Sequence, residues 1–409
     1  MSVTTTERDL PYVDTHTHRF LDHPNAVLGD GSERLRLAAG RSGVEVFAYD
    51  TVRAVFRDDR ISPRTPQVFL DKGVTGGPIL DYIVEGNLNL TWKDTHDRLR
   101  PIMMRGFRPK RIAEIRPVIR ELADSLIDRL LANPGPDGRS RVNIVTEFAH
   151  HLSIGTIAQF IGIPLEDVPE FDSATVELRL LGQEPFWPGV PRLEAALNTV
   201  RAYSERIVEL RRAQRRPDFI SDLVDARQAG EDLSEAELVW NIAGILLAGH
   251  DTTRYQVSSL VRGIAESGQW EALAAAPDHV PSAVVESMRM YPATPRQVRV
   301  VQEPAVIEGR ALEPGELLTL NITGAGRDPV VFPEPDRFLL DRPGTKFDIG
   351  FGYGAHYCLG FAVAKAELEE GLTLLLKRIR DVELDGEIEV KPGGVIAGPE
   401  VVPVRFAAR

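Results

Sequence analysis

The sequence predicts a mainly α fold with small β-sheet regions (α+β), and three observations carry that expectation. Helical periodicity runs almost unbroken from Asp94 to about residue 291. Short strand-like runs, punctuated by proline and glycine, are confined to residues 297–321 and to the C-terminal VELDGEIEVKPGGVIAGPEVVPVRF. No tract rich in Pro, Gly or Ser divides the chain, and neither an internal repeat nor a low-complexity segment is found in it.

Taken in order, residues 1–32 are polar and turn-rich and read as an N-terminal arm. From Gly43 to Arg60, GVEVFAYDTVRAVFRDDR reads as a short strand pair feeding a helix. Between Ser62 and Asn89, glycines and prolines interrupt an apolar mixture of Phe69, Ile79, Leu80, Tyr82, Ile83 and Val84. A long irregular loop with an apolar lining is expected there, and such loops tend to carry function. Helices are expected over about 109–132, ending at NPGPDG, then over 142–162, 165–182, 190–214 and 234–266. Shorter ones follow at 269–275 and 280–291, the second stopped by Pro292, and a closing helix runs from Cys358 to about Arg380.

A chain of 409 residues buries about three quarters of its unfolded surface, enough for one large core or two. The balance of 48 basic against 60 acidic residues argues against a nucleic-acid partner and for an ordinary enzyme. One cysteine excludes an internal disulfide framework, and a thiol needed as thiolate is best kept in a reducing compartment, so the cytoplasm is expected. The N-terminus lacks a signal-peptide pattern and no run reaches about 18 apolar residues, so no membrane anchor is expected.

That cysteine, Cys358, lies in Phe351 to Gly360, FGYGAHYCLG, where Gly352, Gly354 and Gly360 permit close approach to a flat ligand. The helix dipole that follows favours a thiolate. A nucleophile would want a histidine base beside it, and His356 lies two positions away in an extended loop. A single soft thiolate on a haem iron fits better. The pattern F-G-x-G-x-H-x-C-x-G resembles the haem-binding loop of the cytochrome P450 family, and the resemblance spans roughly Val44 to the C-terminus. It implies the P450 fold over residues 33–409, haem b as cofactor, and Phe351, His356, Cys358 and Gly360 at the haem, with Cys358 on the iron.

Ala248-Gly249-His250-Asp251-Thr252-Thr253 places small residues and hydroxyls in mid-helix, where Thr252 can bond back to the Ala248 carbonyl and bend the helix. The glycine leaves a groove. The string is similar to the family's oxygen-activation motif, which implies Ala248 at the haem, Thr252 as hydrogen-bond partner of the oxygen being activated and Asp251 as a proton relay. Glu286 and Arg289 have the spacing of an ordinary surface ion pair. The resemblance makes them instead a buried E-x-x-R pair joined by Arg337, supporting the thiolate loop. His96 and Arg100 share a helix face, and the resemblance assigns them, with Arg299 and His356, to the haem propionates. Asp348 departs from the family at a position where many relatives place a cation, and Trp92-Lys93-Asp94 replaces a proline-rich approach to His96.

Asp14-Thr15-His16-Thr17-His18 resembles the first metal-binding strand of barrel-type hydrolases, but that fold needs repeated strand-helix alternation, which residues 94–290 lack. The reading reached is a haem-thiolate monooxygenase that inserts one atom of O2 into a small organic substrate. The resemblance implies electrons from a small ferredoxin or flavodoxin, and the basic cluster Arg105, Arg108, Lys110 and Arg111 supplies the candidates for its docking. The alternatives are a peroxide-driven or non-redox haem-thiolate enzyme, and a haem-based sensor or carrier. The pocket is expected to be lined by the 62–90 loop with Leu80 and Val84, by Gly244, Leu247 and Ala248, by Thr294, Pro295, Arg296 and Gln297, and by Ile396 and Ala397.

Overall fold

The computed structural model describes residues 10–29, 31–63, 66–85, 88–182, 185–344, 347–391 and 394–409. Its helices are α1 (His18–Asp22), α2 (Asn25–Leu28), α3 (Tyr49–Val55), α4 (Pro66–Asp71), α5 (Pro78–Glu85), α6 (Asp94–Met104), α7 (Pro109–Leu131) and α8 (His150–Ile161). Then come α9 (Asp172–Thr175), α10 (Val190–Ala213), α11 (Phe219–Gln228), α12 (Glu235–Glu266), α13 (Trp270–Ala275), α14 (Val280–Met290), α15 (Ile322–Gly326) and α16 (Phe361–Arg378). The strands are β1 (Leu37–Gly40), β2 (Gly43–Val46), β3 (Ile61–Pro63), β4 (Ser140–Asn143), β5 (Arg296–Val301), β6 (Ala305–Ile307), β7 (Arg310–Leu312) and β8 (Leu317–Asn321). β9 (Ile379–Leu384), β10 (Glu389–Lys391), β11 (Gly398–Val401) and β12 (Pro403–Ala408) complete the set. The mainly α expectation with small sheets holds.

Local chemistry explains the boundaries. α12 opens on a reciprocal cap, in which the Ser234 hydroxyl accepts from the Glu237 N–H and the Glu237 carboxylate accepts from the Ser234 N–H. Proline begins α7, α4 and α5, where its missing N–H costs nothing. That placement converts much of the expected 62–89 loop into two short helices, separated by Gly73 and Gly77 at positive φ. The expected 165–182 helix is instead a pair of 3-10 segments around the four-residue α9, with Pro169 removing a donor inside the first. The strand pair also starts earlier than Gly43, since β1 and β2 form the hairpin with Leu37 opposite Val46.

α12 runs through the body and packs against α8, α10, α14 and α16. β1, β2, β8, β5 and β3 make a five-stranded sheet in that order, with β2 and β8 parallel and the other pairs antiparallel. Within the expected arm, residues 1–9 and 30 lie outside the described residues. The remainder is anchored to the body: Val13, Phe20 and Leu28 share an apolar cluster with Ala38 and Phe47, and the Thr15 hydroxyl donates to Glu45 at 3.1 Å. Among the described residues, no helix is long and apolar enough to cross a membrane.

Candidate active site

The loop before α16 turns on Gly352 and Gly354, both at φ 75°. A side chain on Gly354 would bring a Cβ to 2.6 Å from the Phe56 carbonyl oxygen. The Cys358 N–H donates to the Phe351 carbonyl at 2.9 Å, closing the loop. α16 begins three residues beyond Cys358, at Phe361, not at Cys358 itself. Burial pushes the Cys358 thiol up, while the Gly360 N–H and Arg100 pull the other way. Protein groups alone therefore do not make the thiolate that the helix dipole suggested. A bound cation would, because a coordinating metal deprotonates a thiol outright.

Four groups able to carry positive charge surround this loop. His96, on α6, is 3% exposed, its Nδ1 lies 3.2 Å from Asp97, and its Nε2 has no partner among the described residues. Its ring stands 4.1 Å from that of His356. Arg100, one turn on, donates to the Tyr357 carbonyl at 2.6 Å. Arg299, from β5, donates to the Val298 carbonyl and to Gln297 Oε1. Neither Arg100 nor Arg299 forms an ion pair with a carboxylate among the described residues. Burial alone takes Arg299 down to about 10. For His356, burial, then His96, Arg299 and Arg100, push the ring to about 3. Buried cations without counter-charge are unfavourable, so this cradle suits a ligand that brings two anionic groups. A single thiol, two arginines without a carboxylate partner among the described residues, and two imidazoles fit iron protoporphyrin IX with its two propionates.

Asp348 lies apart from this cradle. It accepts from the Tyr49 hydroxyl at 2.6 Å and pairs with Arg53 at 2.8 Å, so its carboxylate is tied to α3.

On α12 the residues are buried except at Gly244, Ile245, Ala248, Gly249 and Thr252 in the central stretch, all half-buried. That spacing is one helical face. The Thr252 hydroxyl donates to the Ala248 carbonyl at 2.7 Å. Gly249 has a different reason from the groove expected for it: an added Cβ would lie 2.6 Å from Ile157 Cδ1, so the glycine lets α8 approach. Asp251 is fully buried; Arg254 Nη2 donates to its Oδ1 at 2.6 Å, and its Oδ2 has no partner among the described residues. Burial raises the Asp251 carboxyl and Arg254 opposes the rise. Arg254 also faces Glu400 at 3.5 Å, which in turn accepts from Tyr255 at 2.6 Å.

The support cluster departs from the expectation at one residue. Glu286 pairs with Arg289 at 2.7 Å and with Arg342 at 2.8 Å, and also accepts from the Leu339 N–H at 2.9 Å. Arg342, not Arg337, is the third member. The Arg337 guanidinium is 65% exposed and pairs with Glu334, while its main-chain carbonyl accepts from Arg289 and Arg342. Burial acts to raise the Glu286 pKa; the hydrogen bonds from the two arginines outweigh it and hold the carboxyl below its ordinary value.

Two of the expected pocket residues face elsewhere. Val84 is 50% exposed because α5 buries its other face through Ile79, Tyr82 and Ile83. Arg296 is buried, but its guanidinium donates to the carbonyls of Thr15 at 2.6 Å and Gly394 at 2.8 Å. Side chains alternate along a strand, so Gln297, which bonds Arg299, shares the Arg299 face of β5 and Arg296 takes the opposite one. Leu247 and Pro295 are buried; Leu80, Thr294 and Ile396 are half-buried. Of the basic cluster, Arg105 pairs with Glu231, Arg111 with Asp222 at 2.9 Å, and Lys110 with Glu114 at 3.8 Å. Asp14 of the histidine-rich N-terminal string is turned to Arg41 at 2.7 Å.

A thiol-bearing glycine loop beside two arginines without a carboxylate partner among the described residues, together with the Thr252–Ala248 back-bond on α12, defines a haem-thiolate protein. Residues 277–392 match the family model described as Cytochrome P450. The chain is 30% identical over 404 residues to luteothin monooxygenase of Streptomyces thioluteus, covering 98% of this chain and 97% of that one. It is 29% identical to cytochrome P450 monooxygenase PikC of Streptomyces venezuelae, covering 92% and 88% of the two chains. The structure of cytochrome P450 CYP109Q5 from Chondromyces apiculatus superposes with a TM-score of 0.85 at 24% identity, over 97% of this chain and 99% of that one, and so shares the fold. The chain belongs to the cytochrome P450 family. It is a P450 monooxygenase whose cofactor is haem b.

Proposed function

We propose that this monooxygenase oxidises a small, largely apolar organic molecule in the cytoplasm, with electrons from a separate ferredoxin or flavodoxin. The observation that carries the site assignment is the sole thiol, Cys358, set among His96, Arg100, Arg299 and His356 with no carboxylate among the described residues to neutralise either arginine. In this reading Cys358 holds the iron, His96, Arg100, Arg299 and His356 hold the propionates, and Phe351 and Gly360 shape the loop. Haem supplies the centre at which dioxygen is reduced and split.

The chain's own residues then manage binding and protons. Leu80, Gly244, Leu247, Thr294, Pro295 and Ile396 form an apolar wall, with Gln297 and not Arg296 as the polar group on the β5 face. Thr252 presents its hydroxyl on the half-buried stripe of α12, one turn from Ala248, and Asp251 supplies a carboxylate whose free Oδ2 can accept and pass a proton. Arg254 fixes the other oxygen of that carboxylate, and residues 33–409 act as one haem domain with the N-terminal segment fastened across it. For partner docking, Arg108 and Lys110 are the more available cations, because Arg105 and Arg111 are held by Glu231 and Asp222.

Replacing Cys358 with Ser or His tests the assignment through the carbon monoxide adduct of the reduced protein. The thiolate-type Soret band should vanish; its survival would refute the ligand. Thr252→Ala should keep consuming reductant while releasing more hydrogen peroxide, and undiminished coupling of reductant to product would move the hydrogen-bonding role to another donor.

A further inference from the structure

A second group of ligand-type side chains lies on the other side of the oxygen-activation segment, and the monooxygenase site makes no use of it. His150 opens α8, Asp172 opens α9 and His250 sits in the middle of α12, immediately before Asp251. Each offers a ring nitrogen or carboxylate oxygen, and these atoms all lie within 4.8 Å of one another. His150 Nε2 is 2.9 Å from Asp172 Oδ1, and the His150 and His250 rings meet edge to face at 4.7 Å.

Hydrogen bonding fixes which atom of His250 is presented. The Thr175 hydroxyl is 2.7 Å from the Asp172 main-chain carbonyl, which can only accept, so the hydroxyl proton lies between them. The same oxygen is 2.7 Å from His250 Nδ1 and must therefore accept from Nδ1–H. That leaves Nε2 as the bare lone pair. His250 is fully buried, and Nε2 has no partner among the described residues. Buried polar atoms are nearly always satisfied, and an exception calls for an occupant.

We propose that His150, Asp172 and His250 form a binding site for a divalent first-row transition-metal ion of the zinc class, separate from the haem. Two imidazoles and a carboxylate suit such ions, and three protein ligands leave one position for water. The His150 and Asp172 side chains are 19% and 36% exposed, which gives the ion a way in from solvent. Thr175 orients His250 as an outer hydrogen-bond partner orients a ligating imidazole. A bound ion would fasten α8 and α9 to α12 next to Asp251.

The test is a zinc chloride titration of untagged, haem-loaded protein after chelator dialysis, read by calorimetry, by melting temperature and by zinc-edge X-ray absorption. Wild type should take one equivalent, melt higher with zinc, and show two imidazole ligands. His150→Ala and Asp172→Asn alter half-exposed groups and leave the fold in place; each should weaken binding by more than tenfold and abolish the melting shift. Thr175→Val keeps all three ligands and should weaken binding about 10–100-fold. His18→Ala, in the histidine-rich N-terminal string, should change nothing. Absence of saturable binding, equal affinity in His150→Ala and Asp172→Asn, or loss of the equivalent in His18→Ala would each overturn the proposal.

Discussion

Two buried groups of charge lie in the same helical body, and they differ in completeness. Around Glu286 every group is answered: Arg289 and Arg342 donate to both carboxylate oxygens, and Arg289 also reaches the carbonyls of Gly326, Pro335 and Arg337. Around Arg299 and His96 little is answered: a guanidinium meets a main-chain carbonyl and a neutral amide, and an imidazole nitrogen meets nothing among the described residues. Burial is costly for both. A satisfied cluster is scaffold, whereas an unsatisfied one is shaped for a ligand that supplies the missing charge. The contrast separates residues suited to an anionic ligand from residues that complete one another within the scaffold, a distinction that charge and spacing alone do not make.

The largest effect should come from breaking the complete cluster. Arg342→Met removes one arginine and leaves Glu286 partly uncompensated, a change that costs about 3–5 kcal/mol when a buried pair is broken. Denaturant unfolding should show that loss, while Arg337→Ala should stay within about 0.5 kcal/mol of wild type because it changes an exposed side chain. Equal destabilisation by both would return Arg337 to the cluster. Next in size is Arg299→Gln, which removes an uncompensated cation. Haem loss to an acceptor protein should accelerate, and unfolding of the haem-free protein should be unchanged or slightly harder. Destabilisation of the haem-free form as severe as that of Arg342→Met would erase the distinction.

Much of this arrangement was legible because the chemistry is carried by short local strings. Six fixed positions around Cys358 locate the loop, and the back-bond from Thr252 to Ala248 follows from helix geometry four residues apart. Long helices such as α7, α10 and α12 lie close to their expected bounds because caps and terminal prolines are written locally. What escaped depends on tertiary partners. Arg337 and Arg342 are both arginines after the E-x-x-R helix, and only the path of the intervening chain decides which side chain turns inward. Arg296 and Gln297 are neighbours on β5 and both read as lining; only the path of the N-terminal segment shows that Arg296 is held by Thr15 while Gln297 stays beside Arg299. Gly249 reads as room for a ligand until Ile157 is seen against it. Val84 looked like lining until α5 acquired an outer face.

A third kind of buried charge sharpens the comparison with the smallest expected effect. Glu367, on α16, is 2% exposed, accepts from the Ser153 hydroxyl at 2.7 Å, and has no cation partner among the described residues. Neither route open to the other two clusters is available to it. Burial, opposed by the Ser153 hydrogen bond, raises its carboxyl from the ordinary 4.5 to about 8, so the group stays protonated in the folded protein near neutrality. The sign of the linkage follows: the folded value lies above the unfolded one. The neutral form's contribution is therefore complete below about 4.5 and declines as pH rises toward about 8. The slope can reach about 1.4 kcal/mol per pH unit from this group alone. Glu367→Gln keeps shape and hydrogen bonding but cannot ionise. Unfolding free energies of the two proteins, compared at pH 5 and pH 8, should draw apart in favour of the glutamine variant as pH rises, with all other titrating groups cancelling in the difference. A gap that does not change with pH would mean that Glu367 is ionised in the fold and that a cation supplies its balance, which would place it with Glu286 among the completed clusters.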